Sequence, residues 1–120
     1  THRQAGTADA AESMTAGRLV FVSACGGGSP STSIEREVTT ALDNLGDALA
    51  RAGSAVGMIV KFTLLLSDVG EYARVQSALA AYYREHAPHL VAAPPAFTFM
   101  GVCATGPGGA RFQVDAVAVT

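Results

Sequence analysis

Tryptophan is absent from the 120 residues, lysine occurs once, and there are only two cysteines. The single lysine, Lys61, lies inside an apolar run and not in a basic cluster, and the formal net charge is -2 at pH 7. Proteins that bind nucleic acid normally present a basic patch to the phosphate backbone. We therefore expect no nucleic-acid partner.

The scarcity of cysteine limits the covalent and metal chemistry that the chain can support. Cys25 and Cys103 are too few for a disulfide framework and lack the paired spacing of a zinc site. A disulfide between these two stays open at this stage, because the sequence gives no distance between them. His86 and His89 lie at a predicted helix end, where a metal would need further ligands. We predict no metal, no cofactor and a reducing, cytoplasmic location.

Long hydrophobic runs are also missing, although 49% of the residues are hydrophobic and only 15% are charged. No stretch has the length of a membrane span, and the N-terminal residues do not resemble a signal peptide. We predict no membrane partner and one packed domain over residues 1–120, with residues 1–16 as a candidate partly ordered segment. The apolar surplus favours contacts between subunits, because a small monomer buries a limited share of its surface.

The first half of the chain shows a strand, a helix and a second strand. Residues 17–25 alternate, and the alternation assigns four side chains to a single face: Leu19, Phe21, Ser23 and Cys25. Thr32 and Glu35 have the spacing of a capping box, and Gly53 is typical of a helix stop. Residues 58–66 predict a second strand, because they are rich in branched and aromatic side chains.

The second half adds a helix and two closing strands. The helix begins near Asp68 and Glu71 and ends near Ala87, because Pro88 cannot continue it. Residues 96–104 and 111–119 predict strands on either side of a "TGPGG" turn. This order indicates an α/β or α+β domain in which two helices cover one face of a sheet. Another copy of the chain would cover the other face.

Several segments, taken in order, resemble the RidA/YjgF family, also called the endoribonuclease L-PSP family. They are "GRLVFVSA", "TALDNLGDALARAG", "IVKFTLLLSDVGEYARV", "PPAF" and "FQVDAVAV", and they extend over nearly the whole chain. The resemblance implies an α+β, chorismate-mutase-like fold: a mixed β-sheet with two helices packed on one face, assembled as a homotrimer. It also implies clefts between subunits that bind a small-molecule substrate. The best-known members hydrolyse reactive enamines and imines to 2-keto acids and ammonia.

One residue that the family uses for substrate binding does not carry over. In members with imine deaminase activity, an arginine follows the "PA" near the fourth predicted strand and pairs with the substrate carboxylate. Here Phe97 follows Pro95 and Ala96. A phenyl ring cannot make the bidentate contact of a guanidinium, so a small anionic imino acid should bind weakly. Phe97 and Phe99 are instead candidate substrate-binding residues with an aromatic surface, suited to a larger or more apolar molecule.

The family also implies that the end of the first long strand borders the cleft. In the family's "SGQ", the glycine and glutamine are replaced by Ala24 and Cys25, and three glycines follow without a phosphate-binding motif. The candidate substrate-binding residues here are Ser23, Ala24 and Gly26. Cys25 is a candidate nucleophile, provided that something lowers its pKa. The alternatives for Cys25 are a ligand contact and simple packing, the role expected of Cys103.

Asp115 matches the family's acidic residue on the last strand, shortened by one methylene. An unpaired carboxylate in the apolar "VDAVAV" would be costly even without the family. Asp115 is therefore either satisfied by hydrogen bonds, or it has a raised pKa and handles a proton or positions a water. We predict it as a catalytic residue together with Cys25, and we expect Lys61, which matches a common family lysine, to be structural.

Three functions of different classes follow. The favoured one is a divergent enzyme that acts on a small reactive carbonyl, imine or thioester-type intermediate, as in a specialised biosynthetic pathway. The second is retained imine or enamine hydrolysis without the usual arginine. The third is a non-catalytic trimer that binds a small ligand.

Overall fold

The computed structural model describes residues 2–4, 11–26, 33–103 and 110–120. Its strands are β1 (His2–Gln4), β2 (Ser13–Ala16), β3 (Leu19–Gly26), β4 (Ile59–Leu66), β5 (Ala96–Gly101) and β6 (Phe112–Val119). Its α-helices are α1 (Ile34–Arg51), α2 (Tyr72–His86) and α3 (His89–Ala92). Short 3-10 turns, Val56–Met58 and Val69–Glu71, precede β4 and α2. None of the described helices is long and apolar enough to cross a membrane.

The strands form one mixed sheet in the order β1-β2-β3-β6-β4-β5. The final strand of the chain, β6, lies between β3 and β4 and is antiparallel to both. Of the strand pairs described, β4 and β5 alone are parallel. The long helices α1 and α2 enclose the core against one face of this sheet. The predicted α+β fold, with a mixed sheet and two main helices, is confirmed.

The N-cap of the first long helix is Ser33, one residue after the predicted cap. Ser33 precedes α1 in an extended conformation, and its Oγ accepts a hydrogen bond from the backbone N–H of Arg36 at 3.1 Å. Thr32, for which the capping box was predicted, lies outside the described residues. Gly53 follows the helix end with a φ of 84°, a conformation that glycine adopts without strain, as predicted.

The core lies between the helices and the inner face of the sheet. Its largest fully buried side chains include Phe62, Phe112, Ile34, Leu42, Leu45 and Leu49. The opposite face, which we call the open face, has no helix over it among the described residues. Leu19 and Phe21 on that face are 40% and 43% exposed. The sheet therefore has one packed face and one largely apolar face in contact with solvent.

A buried carboxylate joins α1 to the beginning of β6. Glu37 is fully buried and accepts hydrogen bonds from the backbone N–H groups of Arg111 and Phe112. It also accepts one from the Arg111 guanidinium Nε at 2.9 Å. Burial of a carboxylate is costly unless hydrogen bonds compensate it, and here the helix and the strand are tied together by these bonds. Glu37 thus fixes where the central strand begins.

A β-bulge changes the predicted orientation of the end of β3. Val22 pairs with Ala116 and Cys25 pairs with Val114, so β3 has one residue more than β6 in this interval. Cys25 therefore shares a face with the buried Val114 and packs against the core. The prediction that Cys25 lies on the same face as Phe21 was wrong, because simple alternation does not account for a bulge.

Candidate functional site

The carboxyl group of Asp115 lies on the open face in the middle of the sheet. Asp115 pairs with Thr63 of β4 and lines a shallow depression of about 100 Å³ with Phe21, Lys61 and Val117. Burial raises the pKa of Asp115 above its ordinary value, and a hydrogen bond from its own backbone amide offsets part of this rise. This carboxyl group therefore holds a proton at higher pH than an exposed aspartate does, which suits it to proton transfer.

Three polar side chains on the next two strands, β4 and β5, continue from Asp115 across the open face. The Nζ of Lys61 donates a hydrogen bond to Oγ1 of Thr98 on β5 at 2.6 Å. Thr98 pairs with Thr63, which in turn pairs with Asp115. We call these four residues, Lys61, Thr63, Thr98 and Asp115, the polar strip. It crosses a face that is otherwise largely apolar.

Cys25 lies on β3, where it is half-buried and packs against the core. Its Sγ donates a hydrogen bond to the carbonyl of Ser23 at 3.3 Å. Burial raises the pKa of the Cys25 thiol to about 11, and the carboxylates of Glu12 and Asp115 contribute to the rise, while Arg51 partly opposes it. Cys25 is therefore a neutral thiol near pH 7. Nucleophilic attack needs a thiolate, and these surroundings act against its formation.

An ion pair holds the segment before β2 beside Cys25. The guanidinium Nε of Arg51 donates to Oε2 of Glu12 at 2.9 Å, and its Nη2 donates to Oε1. These bonds lower the pKa of Glu12. The backbone N–H of Ser23 donates to the Glu12 carbonyl at 2.9 Å. These contacts join the residue before β2 to β3 and α1, close to Cys25.

Two other residues predicted at the end of β3, Ser23 and Gly26, form hydrogen bonds within the chain. The Oγ of Ser23 donates to the carbonyl of Ala11, and the carbonyl of Gly26 accepts from Nδ2 of Asn44 at 3.0 Å. A Cβ added at Gly26 would meet its nearest atom at 3.6 Å, an ordinary contact, so packing does not require glycine there. The Ala24 side chain and the glycines after Gly26 lie outside the part of the chain that is described.

Phe97 and Phe99 lie on the helix side of β5 and not on the open face. Phe97 is 50% exposed and lines a cavity of about 230 Å³ between strands β4 and β5 and helices α2 and α3. We call it the aromatic cavity, because rings of Phe62, Tyr72, Tyr83 and Phe97 contribute to its lining. Phe99 packs against Tyr72, with ring centroids 4.2 Å apart.

The structure brings only some of the predicted residues together. Cys25 and Asp115 are near enough for their charges to interact, although they lie on opposite faces of neighbouring strands. Strand β4 separates Phe97 on β5 from Asp115 on β6. Thr63 and Thr98 were missed, and the position of Lys61 beside Asp115 was not expected. The signal for Thr63 was its spacing of two from Lys61, but the sequence does not show which strand adjoins it.

Neither a disulfide nor a metal cluster occurs in the described residues. Cys25 and Cys103 are both free thiols, and Cys103 is exposed. No group of three or more His, Cys, Asp or Glu side chains within the described ranges is placed to hold a metal ion.

The raised pKa of Cys25 predicts slow alkylation. In a Cys103→Ser variant, iodoacetamide at pH 8 should modify Cys25 roughly a hundred times more slowly than a free cysteine with a pKa near 8.5. The rate should rise about tenfold for each pH unit until the raised pKa is reached. The matched Cys25→Ser variant, which keeps the exposed Cys103, should be modified quickly. Equal rates for the two variants would show a reactive thiolate at Cys25 and would favour the nucleophile hypothesis.

Comparison with known proteins connects these features to a family. The family model described as Endoribonuclease L-PSP matches residues 4–120. The rat protein 2-iminobutanoate/2-iminopropanoate deaminase is 30% identical over 108 residues, which covers 85% of this chain and 73% of that protein. Protein DfrA of Myxococcus xanthus is 33% identical over 79 residues, which covers 66% of this chain and only 54% of that protein.

Solved structures share the fold at lower identity. The YjgF gene product of E. coli superimposes with a TM-score of 0.83 at 24% identity, covering 98% of this chain and 92% of that chain. E. coli TdcF, solved with bound serine, gives a TM-score of 0.83 at 20% identity, covering 98% and 93% of the two chains. At these identities the structures establish the fold alone. Together with the family match over residues 4–120, they show that this chain belongs to the endoribonuclease L-PSP family, the RidA/YjgF family.

Proposed function

We propose that this protein is a divergent enzyme of its family that acts on a small reactive imine or carbonyl compound, in a cleft shared between subunits. The observation that supports this most directly is Asp115, a half-buried carboxyl group with a raised pKa on the open face. Such a group exchanges protons nearer to neutral pH than an exposed aspartate does.

Imine hydrolysis illustrates what Asp115 would do. The carboxylate accepts a proton from a water molecule, whose oxygen forms a bond to the imine carbon while the π electrons of the C=N bond move to nitrogen. Asp115 returns the proton to that nitrogen, which gives a carbinolamine. The hydroxyl proton then passes to nitrogen through the same carboxylate. The C–N bond breaks, ammonia leaves with the electron pair, and the C=O bond of the product forms.

The open face supports assembly as a homotrimer, which we include in the proposal. Exposed apolar side chains extend over it, with Leu19 and Phe21 on β3 and Met100, 44% exposed, on β5. Apolar patches of this kind favour burial against another subunit. A neighbouring copy would also be needed to bring an aromatic residue such as Phe97 close to the Asp115 of another chain.

Cys25 enters this proposal as a residue packed on the helix side of the sheet and not as a nucleophile. Its thiol is neutral near pH 7 because its pKa is raised to about 11. A neutral thiol in that position packs as a small, weakly polar side chain. Two free thiols also suit a reducing compartment, so we retain a cytoplasmic location as part of the proposal.

The second candidate function is hydrolysis of small anionic 2-imino acids, as the name of the rat relative suggests. Phe97 argues against rapid hydrolysis of these acids, because it occupies the position of the family's carboxylate-binding arginine. We therefore expect the unmodified protein to act slowly on 2-iminopropanoate. A Phe97→Arg variant should raise kcat/KM for this substrate about tenfold or more, because a charge-assisted, bidentate contact is restored.

This experiment measures keto-acid release from 2-iminopropanoate generated in situ, with a reaction lacking the protein as the blank. The matched control is Met100→Arg, which adds the same charge on the same strand but on the open face. Sedimentation of each sample shows whether the trimer is present, and a monomer would contradict the shared cleft. If Phe97→Arg has no more effect than Met100→Arg, position 97 does not face the substrate carboxylate.

A further inference from the structure

The aromatic cavity has the size of a binding site for one ring. It encloses about 230 Å³ beside the edge strand β5, and its walls come from four elements. For comparison, an engineered apolar cavity of about 150 Å³ in another protein binds benzene. The cavity here therefore has room for a single aromatic ring with a short substituent.

Four of the twelve residues that line the cavity are aromatic, and most of the others are aliphatic. The rings of Phe62 and Tyr83 are stacked, with centroids 6.4 Å apart and planes inclined by 18°. Phe97 is half exposed on the same side, and the ring of Tyr72 packs against that of Phe99. Aromatic side chains bind other rings through offset and edge-to-face contacts, in addition to burying apolar area. The four aromatic side chains can therefore make ring contacts with a bound aromatic group, while the aliphatic residues bury its remaining apolar surface.

The lining also excludes charge. Its described residues include no Lys, Arg, Asp or Glu, and its side-chain polar groups are those of Gln76, Tyr72 and Tyr83. Nε2 of Gln76 already donates a hydrogen bond to the Tyr72 hydroxyl at 3.1 Å. Burial raises the pKa of Tyr83 to about 12, so its hydroxyl is neutral. A charged ligand group would lose its hydration here without a partner of opposite charge.

We propose that the aromatic cavity binds a neutral, single-ring aromatic group, and that the substrate is an imine or carbonyl compound carrying such a group. The identity of the substrate rests on the proposed function, whereas the binding of a neutral ring by the cavity can be measured without any turnover. Phe97 is the residue that favours a neutral ligand over an anionic one, because an arginine at this position would add a cation to the lining.

The test measures binding of 4-fluorobenzyl alcohol to the assembled full chain by fluorine NMR, with pyruvate as a small anionic competitor. Ala80 lines the cavity from α2, and Ala80→Phe should fill it and weaken binding at least about tenfold. The matched control is Ala73→Phe, at an exposed position of the same helix outside the cavity, which should change binding less than about twofold. Pyruvate should not displace the probe.

A second variant covers the case in which Ala80→Phe fails to fold. Val91 lies at the cavity rim and is 50% exposed, so Val91→Glu introduces a charge without filling the core. It should also weaken binding of the fluorinated ring. The inference is overturned if the ring does not bind, if pyruvate competes with it, or if both cavity variants bind as well as Ala73→Phe does.

Failure of this inference and failure of the proposed function give different results. If the ring binds but turnover does not depend on Asp115, the cavity assignment stands and the proposed reaction is wrong. If turnover depends on Asp115 but the ring does not bind, the reaction stands and the aromatic specificity is wrong. An Asp115→Asn variant should bind the ring as tightly as the unmodified protein, because β4 separates the two strands.

Discussion

Replacing Glu37 by alanine should lower the free energy of unfolding by about 3 to 5 kcal/mol, a large part of the stability of a small domain. The substitution removes the acceptor of the backbone N–H groups of Arg111 and Phe112 and one acceptor of the Arg111 guanidinium. It also leaves a cavity at a fully buried position. Urea denaturation at fixed protein concentration measures the change, because assembly would otherwise alter the apparent stability.

The matched control lies two residues earlier in the same helix. Glu35 forms an ion pair with Arg74, whose Nε donates to Oε2 at 2.7 Å, but both side chains are about half exposed. Glu35→Ala should therefore change the midpoint of denaturation far less than Glu37→Ala does, because solvent screens an exposed pair. A Glu37→Gln variant, which keeps one acceptor oxygen, should fall between them. Similar midpoints for Glu35→Ala and Glu37→Ala would show that the buried carboxylate does not hold β6 to α1.

The elements that the sequence predicts well are those with a long periodic pattern. The spacing of apolar residues predicted α1 and α2 to within a few residues, because one face of each helix packs on the sheet. The strand predicted over residues 58–66 corresponds to β4, Ile59–Leu66. The apolar positions in these patterns are the ones buried between the helices and the sheet.

The elements that the sequence does not predict depend on contacts with the rest of the chain. Strands β1 and β2 are three and four residues long, lie within residues 1–16, and have no apolar alternation of their own. Helix α3 has only four residues, and the bulge at Cys25 arises from the register between β3 and β6. Short segments and register are decided by tertiary pairing, and a local pattern carries little information about them.

The candidate site divides in the same way. Asp115 was recognisable from the sequence, because a carboxylate in an apolar strand needs a physical explanation. The polar strip was not recognisable, since Thr63 and Thr98 meet only because β4 and β5 are parallel neighbours. The position of Phe97 on the helix side follows from its pairing with the buried Phe62. Side chains far apart in sequence become one site only through strand order.

Replacing Asp115 by asparagine should lower kcat for imine hydrolysis by about two to four orders of magnitude, the usual contribution of a positioned acid or base. KM should change little, because an amide occupies the same space and still forms hydrogen bonds. Asp115→Glu, which restores the length of the family's acidic residue, should keep part of the activity. The matched control is Asp47→Asn on the exposed side of α1, which should leave kcat unchanged.

The pH dependence separates a role in proton transfer from a role in folding. If the carboxylate is the base, activity should fall as the pH drops through the raised pKa of Asp115, above the ordinary aspartate value of about 3.9. A raised pKa in the folded chain means that ionisation costs stability as the pH rises through it. Asp115→Asn should therefore be at least as stable as the unmodified protein at pH 7, while lacking the acid limb of the activity profile. An asparagine variant with full activity and an unchanged pH profile would show that Asp115 does not transfer the proton.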